Sequence, residues 1–259
     1  MDGDFWLFVA VGFAAQLVDG ALGMAYGVIS STTLLAFGVP PAQASAAVHA
    51  AEVFTTGASG ASHMAHRNVD WKLFRRLAPA GAAGAALGAY VLTSVDGDAI
   101  RPFVTSYLAI LGVLILLKAL GPPARPRQPG LEVVPLGAVG GFLDASGGGG
   151  WGPIVTSSLV ASGQAPRQTI GTVNTVEFVV ACTASAAFLI AMLSGHWEEA
   201  EGLADHAWSV AGLIVGGLIA APFAGYLTKL IPTRTLMILV GVLVLALAGF
   251  QTVKALGWI

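Results

Sequence analysis

Charge is scarce in this chain: 12 Lys and Arg and 14 Asp and Glu stand among 259 residues. Soluble domains carry about a quarter charged residues, so a water-bathed fold is excluded. The net charge of −2 leaves no basic surface for nucleic acid, which is set aside as a partner. Cysteine occurs once, at Cys182, which excludes an intrachain disulfide and a multi-cysteine metal site. The five histidines show no ligand spacing with carboxylates beyond His49 and Glu52, so neither a metal nor a cofactor is expected. The first residues, MDGDFWLF, are acidic where a secretory leader would be basic, and no removable leader is read there. What the chain has in abundance is apolar: 56% hydrophobic residues and a mean hydropathy of +0.79. With uncharged windows of about 20 residues, this composition marks an all-α polytopic membrane protein.

The sequence also repeats itself. LVDGALGMAYGVISSTTLLAFGVPPAQ, from Leu17, lines up with FLDASGGGGWGPIVTSSLVASGQAPRQ, from Phe142. The offset of 125 residues pairs Asp19 with Asp144, Gly23 with Gly148, Tyr26 with Trp151, Gly27 with Gly152, Pro41 with Pro166, His49 with Asn174 and Glu52 with Glu177. Farther on the shift becomes 137, pairing Trp71 with Trp208, which implies an insertion in the acidic loop of the second half. Duplication around interrupted apolar segments is the sequence mark of a secondary transporter whose site lies between its repeats.

Residues 1–120 form the first repeat, 121–130 a linker and 131–259 the second repeat. The linker, GPPARPRQPG, is too rich in proline to continue a helix. Apolar segments fall at 4–18, 28–38, 42–63, 73–93 and 102–120, then at 131–143, 153–163, 167–193, 207–228 and 234–256. The first two of each set are short for a bilayer crossing, so each repeat reads as a re-entrant or broken helical hairpin followed by three transmembrane helices. Basic residues cluster at His66, Arg67, Lys72, Arg75 and Arg76, at Arg125 and Arg127, and at Lys229 and Arg234, which places those loops in the cytoplasm. Asp96 and Asp98, and Glu198, Glu199, Glu201 and Asp205, belong to outer loops. With the linker inside, the halves have opposite orientation and form two inverted repeats. Gly81, Gly84 and Gly88, and Gly212, Gly216 and Gly217, suit close packing of helices in lipid.

Chemistry concentrates at the two breaks. Four consecutive glycines, Gly147 to Gly150, and Pro153 cannot form a lipid-facing helix, and irregular backbone at membrane depth is tolerated only against protein or a wet cavity. The amides that begin the following helix would face that gap and favour an anion. The binding candidates are therefore Gly23, Tyr26 and Gly27 in the first copy and Ser146, Gly147, Gly148, Gly149, Gly150 and Trp151 in the second, joined by His49 and Asn174. The plainer reading is that the glycines permit a tight turn and that Tyr26 and Trp151 are packing aromatics. Asp19 and Asp144 either cap the half-helices or carry protons. Glu52 and Glu177 are stronger proton-coupling candidates, since each stands mid-helix in an uncharged segment. The alternative is a hydrogen-bonded tie to the opposing hairpin. His49 and Asn174 lie one turn earlier on the same face, with Ser45, Thr172 and Thr175 nearby. Ser146 beside the glycines leaves an intramembrane nucleophile as a lesser option, with no partner geometry to support it.

The hairpins VDGALGMAYG and LDASGGGGWGP, each followed by a proline and a glutamate-bearing helix, resemble the sulfite exporter TauE/SafE family of anion permeases over nearly the whole chain. The first copy departs from the glycine-rich form, with Leu22, Met24 and Ala25 where the second has Gly147, Gly149 and Gly150. The resemblance implies a carrier, not an enzyme, that exports or exchanges sulfite, a sulfonate, sulfoacetate or a similar small anion across the bacterial inner membrane. Alternating access with proton coupling is the expected mechanism, a passive anion channel the alternative, and a homodimer the open option for assembly.

Overall fold

A computed structural model describes residues 2–121, 130, 132–230 and 233–256. The linker arginines Arg125 and Arg127 lie outside the described residues, as do the side chains of Glu198, Glu199 and Lys229. The first repeat holds α1 (Asp2–Leu22), α2 (Tyr26–Ala36), α3 (Pro41–Ala65), α4 (Trp71–Thr93) and α5 (Gly97–Leu120). The second holds α6 (Val133–Gly147), a π-helical turn (Gly152–Thr156) that runs into α7 (Ser157–Ala161), α8 (Pro166–Leu193), a 3-10 segment (Glu198–His206), α9 (Ala207–Leu230) and α10 (Thr233–Ala255). Five helical stretches are long and apolar enough to cross a membrane among the described residues: Phe5–Leu22, Gly97–Leu120, Pro166–Leu193, Ala200–Pro222 and Met237–Lys254. Helices α3 and α4, at 25 and 23 residues, have the length. Large apolar side chains point outward along α5 (Phe103, Ile110, Leu117), α8 (Ile190, Leu193) and α10 (Leu239, Val242), an exposure that water would not tolerate on this scale and that lipid favours.

Both breaks are made the same way. Gly23 and Gly148 adopt left-handed φ of 64° and 68°, and the turns that end α2 and α7 use Gly38 and Gly163 at 92° and 88°. These are equivalent positions, and at each the left-handed backbone disfavours a side chain. The chain then reverses: Phe8 near the start of α1 meets Phe37 past the end of α2, with ring centroids 5.8 Å apart. Pairs α1–α2 and α6–α7 are thus helical hairpins. One arm departs from the sequence expectation, because α1 runs past residue 18 to Leu22 and its apolar stretch is long enough to cross. Asp19, just past the expected end, does not stop the helix because it is fully buried in protein, away from lipid.

Each hairpin packs into the opposite repeat. A Cβ added to Gly84 of α4 would overlap the Ala138 carbonyl of α6, and one at Gly216 of α9 would overlap the Val9 carbonyl of α1. The predicted small-residue contacts are therefore made, and between repeats. Equivalent helices run antiparallel. In α3 and α8, Gly57 meets Phe178 while Gly60 meets Thr175. In α5 and α10, Thr105 bonds Gln251 while Gly112 meets Leu245. Loop charges separate accordingly. At one end Ser94 bonds His196 at 2.8 Å, joining the turn of Asp96 and Asp98 to the loop of Glu201 and Asp205. At the other, Arg167 donates to Asn68 at 2.7 Å beside His66 and Arg67.

Candidate functional site at the meeting of the hairpin tips

The two tips touch at the buried centre. Added Cβ atoms at Gly149 and Gly152 would overlap Val28 and Met24 of the first hairpin, and one at Gly27 would lie 3.0 Å from the Cα of Gly149. One bond is made twice: Ser31 Oγ donates to the Gly148 carbonyl, and its equivalent Thr156 Oγ1 donates to the Gly23 carbonyl at 2.6 Å. These hydroxyls satisfy carbonyls that the helix breaks leave without ladder partners.

The aspartates cap the second arms. Asp144 Oδ1 accepts from the amides of Gly150 at 2.7 Å and Trp151 at 2.9 Å, and Asp19 Oδ1 accepts from Tyr26 at 3.4 Å. The protein's own carboxylates therefore occupy the amides that the sequence reading left open to a bound anion. Tyr26 and Trp151 are fully buried, and their polar atoms are engaged by main chain: Tyr26 donates to Leu213 at 3.0 Å and Trp151 to Val173 at 3.2 Å. They wedge the tips against the neighbouring helices.

The glutamate helices bring the remaining polar groups. His49 Nδ1 faces the Ser45 carbonyl at 2.8 Å, a contact that assigns it a proton, while Nε2 faces Asp144 Oδ2 at 3.3 Å. Ser45 Oγ donates to Ala145 at 2.6 Å, a second tie from α3 to the opposing hairpin. On α8, Asn174 Oδ1 accepts from Ser59 of α3 at 3.1 Å. Among the described residues, both oxygens of Glu52, one of Glu177 and one of Asp19 are buried without a hydrogen-bond partner. So are Nδ2 of Asn174, both polar atoms of Gln16, and the hydroxyls of Ser30 and Thr55. Groups left in this state cost free energy unless water or a ligand meets them.

Ser146, by contrast, turns its hydroxyl to its own helix, donating to Phe142 at 2.7 Å. His49 is held by Ser45 and Asp144, and His63 lies beside Asn68, so neither histidine addresses that serine. Several central residues escaped the sequence reading. Ser31 and Thr156 are visible as hydroxylic residues at the repeat offset. Gln16 is detectable as a lone amide in an apolar helix. Tyr107 of α5, whose hydroxyl donates to Gly149 at 3.2 Å and whose ring covers Gly147, carries no sequence signal.

No solved structure matches the chain. It is 43% identical over 242 residues to the probable membrane transporter protein YtnM of Bacillus subtilis (strain 168), covering 91% of this chain and 78% of that one. The family model described as sulfite exporter TauE/SafE matches residues 8–250. With that match and its apolar helices, the chain is a multi-pass membrane transporter and belongs to the sulfite exporter TauE/SafE family.

Proposed function

We propose that the protein exports or exchanges a small oxyanion of the sulfite or sulfonate class across the bacterial inner membrane, by alternating access between two inverted repeats. The observation that carries this reading is the meeting of two glycine-broken tips in a buried centre that holds unpartnered hydrogen-bond donors. Asn174 Nδ2, Gln16 Nε2 and the hydroxyls of Ser30 and Thr55 each lie within one helical turn of a central carboxyl or of Tyr26. Their unmet donors suit the oxygens of a small anion. The antiparallel pairing of equivalent helices supports the inverted relation, and the segregation of loop charge supports a cytoplasmic face at Arg67 and Arg167.

Four carboxyls and one histidine surround the tips, and no lysine or arginine is buried among the described residues. An anion entering such a place requires compensating positive charge. In this reading Glu177, with an unpartnered oxygen and no cation beside it, takes a proton as the anion loads and gives it up on the other side. Counterflow tests the carrier directly. Proteoliposomes preloaded with unlabelled sulfite should transiently concentrate labelled sulfite, and sulfonates that are substrates should compete. A channel would equilibrate label without overshoot.

A further inference from the structure

We propose that His49, Glu52 and Asp144 form a binding site for a divalent cation of the Zn²⁺ or Mn²⁺ class. Ligand atoms from these three buried residues all lie within 4.8 Å of one another. A single ion bonds histidine nitrogen and carboxylate oxygen at about 2.0–2.2 Å, which puts adjacent ligands roughly 3.0–3.5 Å apart. His49 Nε2 and Asp144 Oδ2 already have that spacing, at 3.3 Å. The same distance is long for a charge-assisted hydrogen bond, which runs to about 2.7–2.9 Å.

Both of those ligands are held from behind. The Ser45 carbonyl engages His49 Nδ1 at 2.8 Å and so directs the Nε2 lone pair toward the cluster. Two backbone amides hold Asp144 Oδ1, which leaves Oδ2 to face the histidine. Glu52 supplies the independent observation. It is 1% exposed, and neither carboxylate oxygen has a hydrogen-bond partner among the described residues. Its Oε1 lies beside Gly27, and no hydrogen bond among the described residues opposes its closing on an ion.

One nitrogen and two carboxylates suit the borderline divalent metals better than Na⁺ or Mg²⁺, which avoid imidazole. The equivalent positions of the other half, Asn174, Glu177 and Asp19, lack the imidazole, so among the described residues the site occurs once. A cation there would also supply positive charge beside the tips. The proposal does not rest on the identity of the transported anion.

The test uses the full chain in detergent, stripped with chelator, with His63, His66, His196 and His206 changed to Asn so that His49 is the sole histidine. Equilibrium dialysis against Zn²⁺ and Mn²⁺, read by elemental analysis, should find one ion per chain and a higher thermal midpoint with metal. Glu52→Gln and Asp144→Asn should weaken binding at least tenfold, while Glu52→Asp retains it. Less than a tenth of an ion per chain, or undiminished binding by a folded Glu52→Gln variant, overturns the site. Should Glu52→Gln not fold, the stoichiometry of the parent chain and the Glu52→Asp result decide. Because the readout is bound metal and not flux, its failure leaves the transport reading standing.

Discussion

His49 of the first repeat and Asp144 of the second lie 3.3 Å apart, whereas their equivalents Asn174 and Asp19 each keep a buried polar atom without a partner. The two halves are thus chemically unequal at the point where they meet. Removing His49 leaves the buried Asp144 with its two amides but takes away the imidazole that faces Oδ2. His49→Leu should therefore lower stability by about 3 kcal/mol, the upper end for leaving a buried polar group without its neighbour. Thermal unfolding in detergent measures this, and a midpoint unchanged from the parent would show that the contact contributes nothing.

Close helix approach makes a second, graded expectation. A Cβ at Gly84 meets the Ala138 carbonyl, whereas one at Gly249 meets nothing within 4 Å. Gly84→Ala should cost about 1–3 kcal/mol through overpacking. Gly249→Ala should be neutral or stabilise by up to about 1 kcal/mol through helix propensity. Paired melting curves would expose a reversed order.

Ala25 adopts a φ of 144° at the position where the second repeat has Gly150. That backbone is unfavourable for a residue with a Cβ, at a cost of about 1–3 kcal/mol. Ala25→Gly relieves it, and the gain left after glycine's greater unfolded-state entropy is about 1 kcal/mol. The melting temperature should rise, and a fall would show that the Ala25 methyl is needed for packing.

Much of this arrangement was legible in the chain. The offset of 125 residues that pairs Gly23 with Gly148 also pairs Gly38 with Gly163, and all four take the left-handed backbone. Glu52 and Glu177 stood out because charge inside an apolar segment is costly. Contacts between repeats were not legible, since no sequence spacing announces that Asp144 will lie beside a histidine 95 residues earlier. Capping by Asp19 and Asp144 was one of the two roles the sequence offered them, and the structure shows that these caps take up helix-start amides that had also looked free for an anion. The long first arm was missed for a similar reason: a polar residue ends a lipid-facing segment, but not one surrounded by protein.

Glu177→Gln removes a proton acceptor while keeping the shape and one hydrogen-bonding end. Transport by the parent should rise as the side supplying protons is acidified, and the variant should lose that dependence while still binding anion. An intact pH profile in the variant would take Glu177 out of coupling.

The most direct test is uptake of labelled sulfite into proteoliposomes with and without an imposed pH gradient. Proton coupling through Glu177 predicts accumulation above equilibrium only when the gradient is present, abolished by Glu177→Gln. Simple equilibration that ignores the gradient would contradict proton-coupled transport between the hairpin tips.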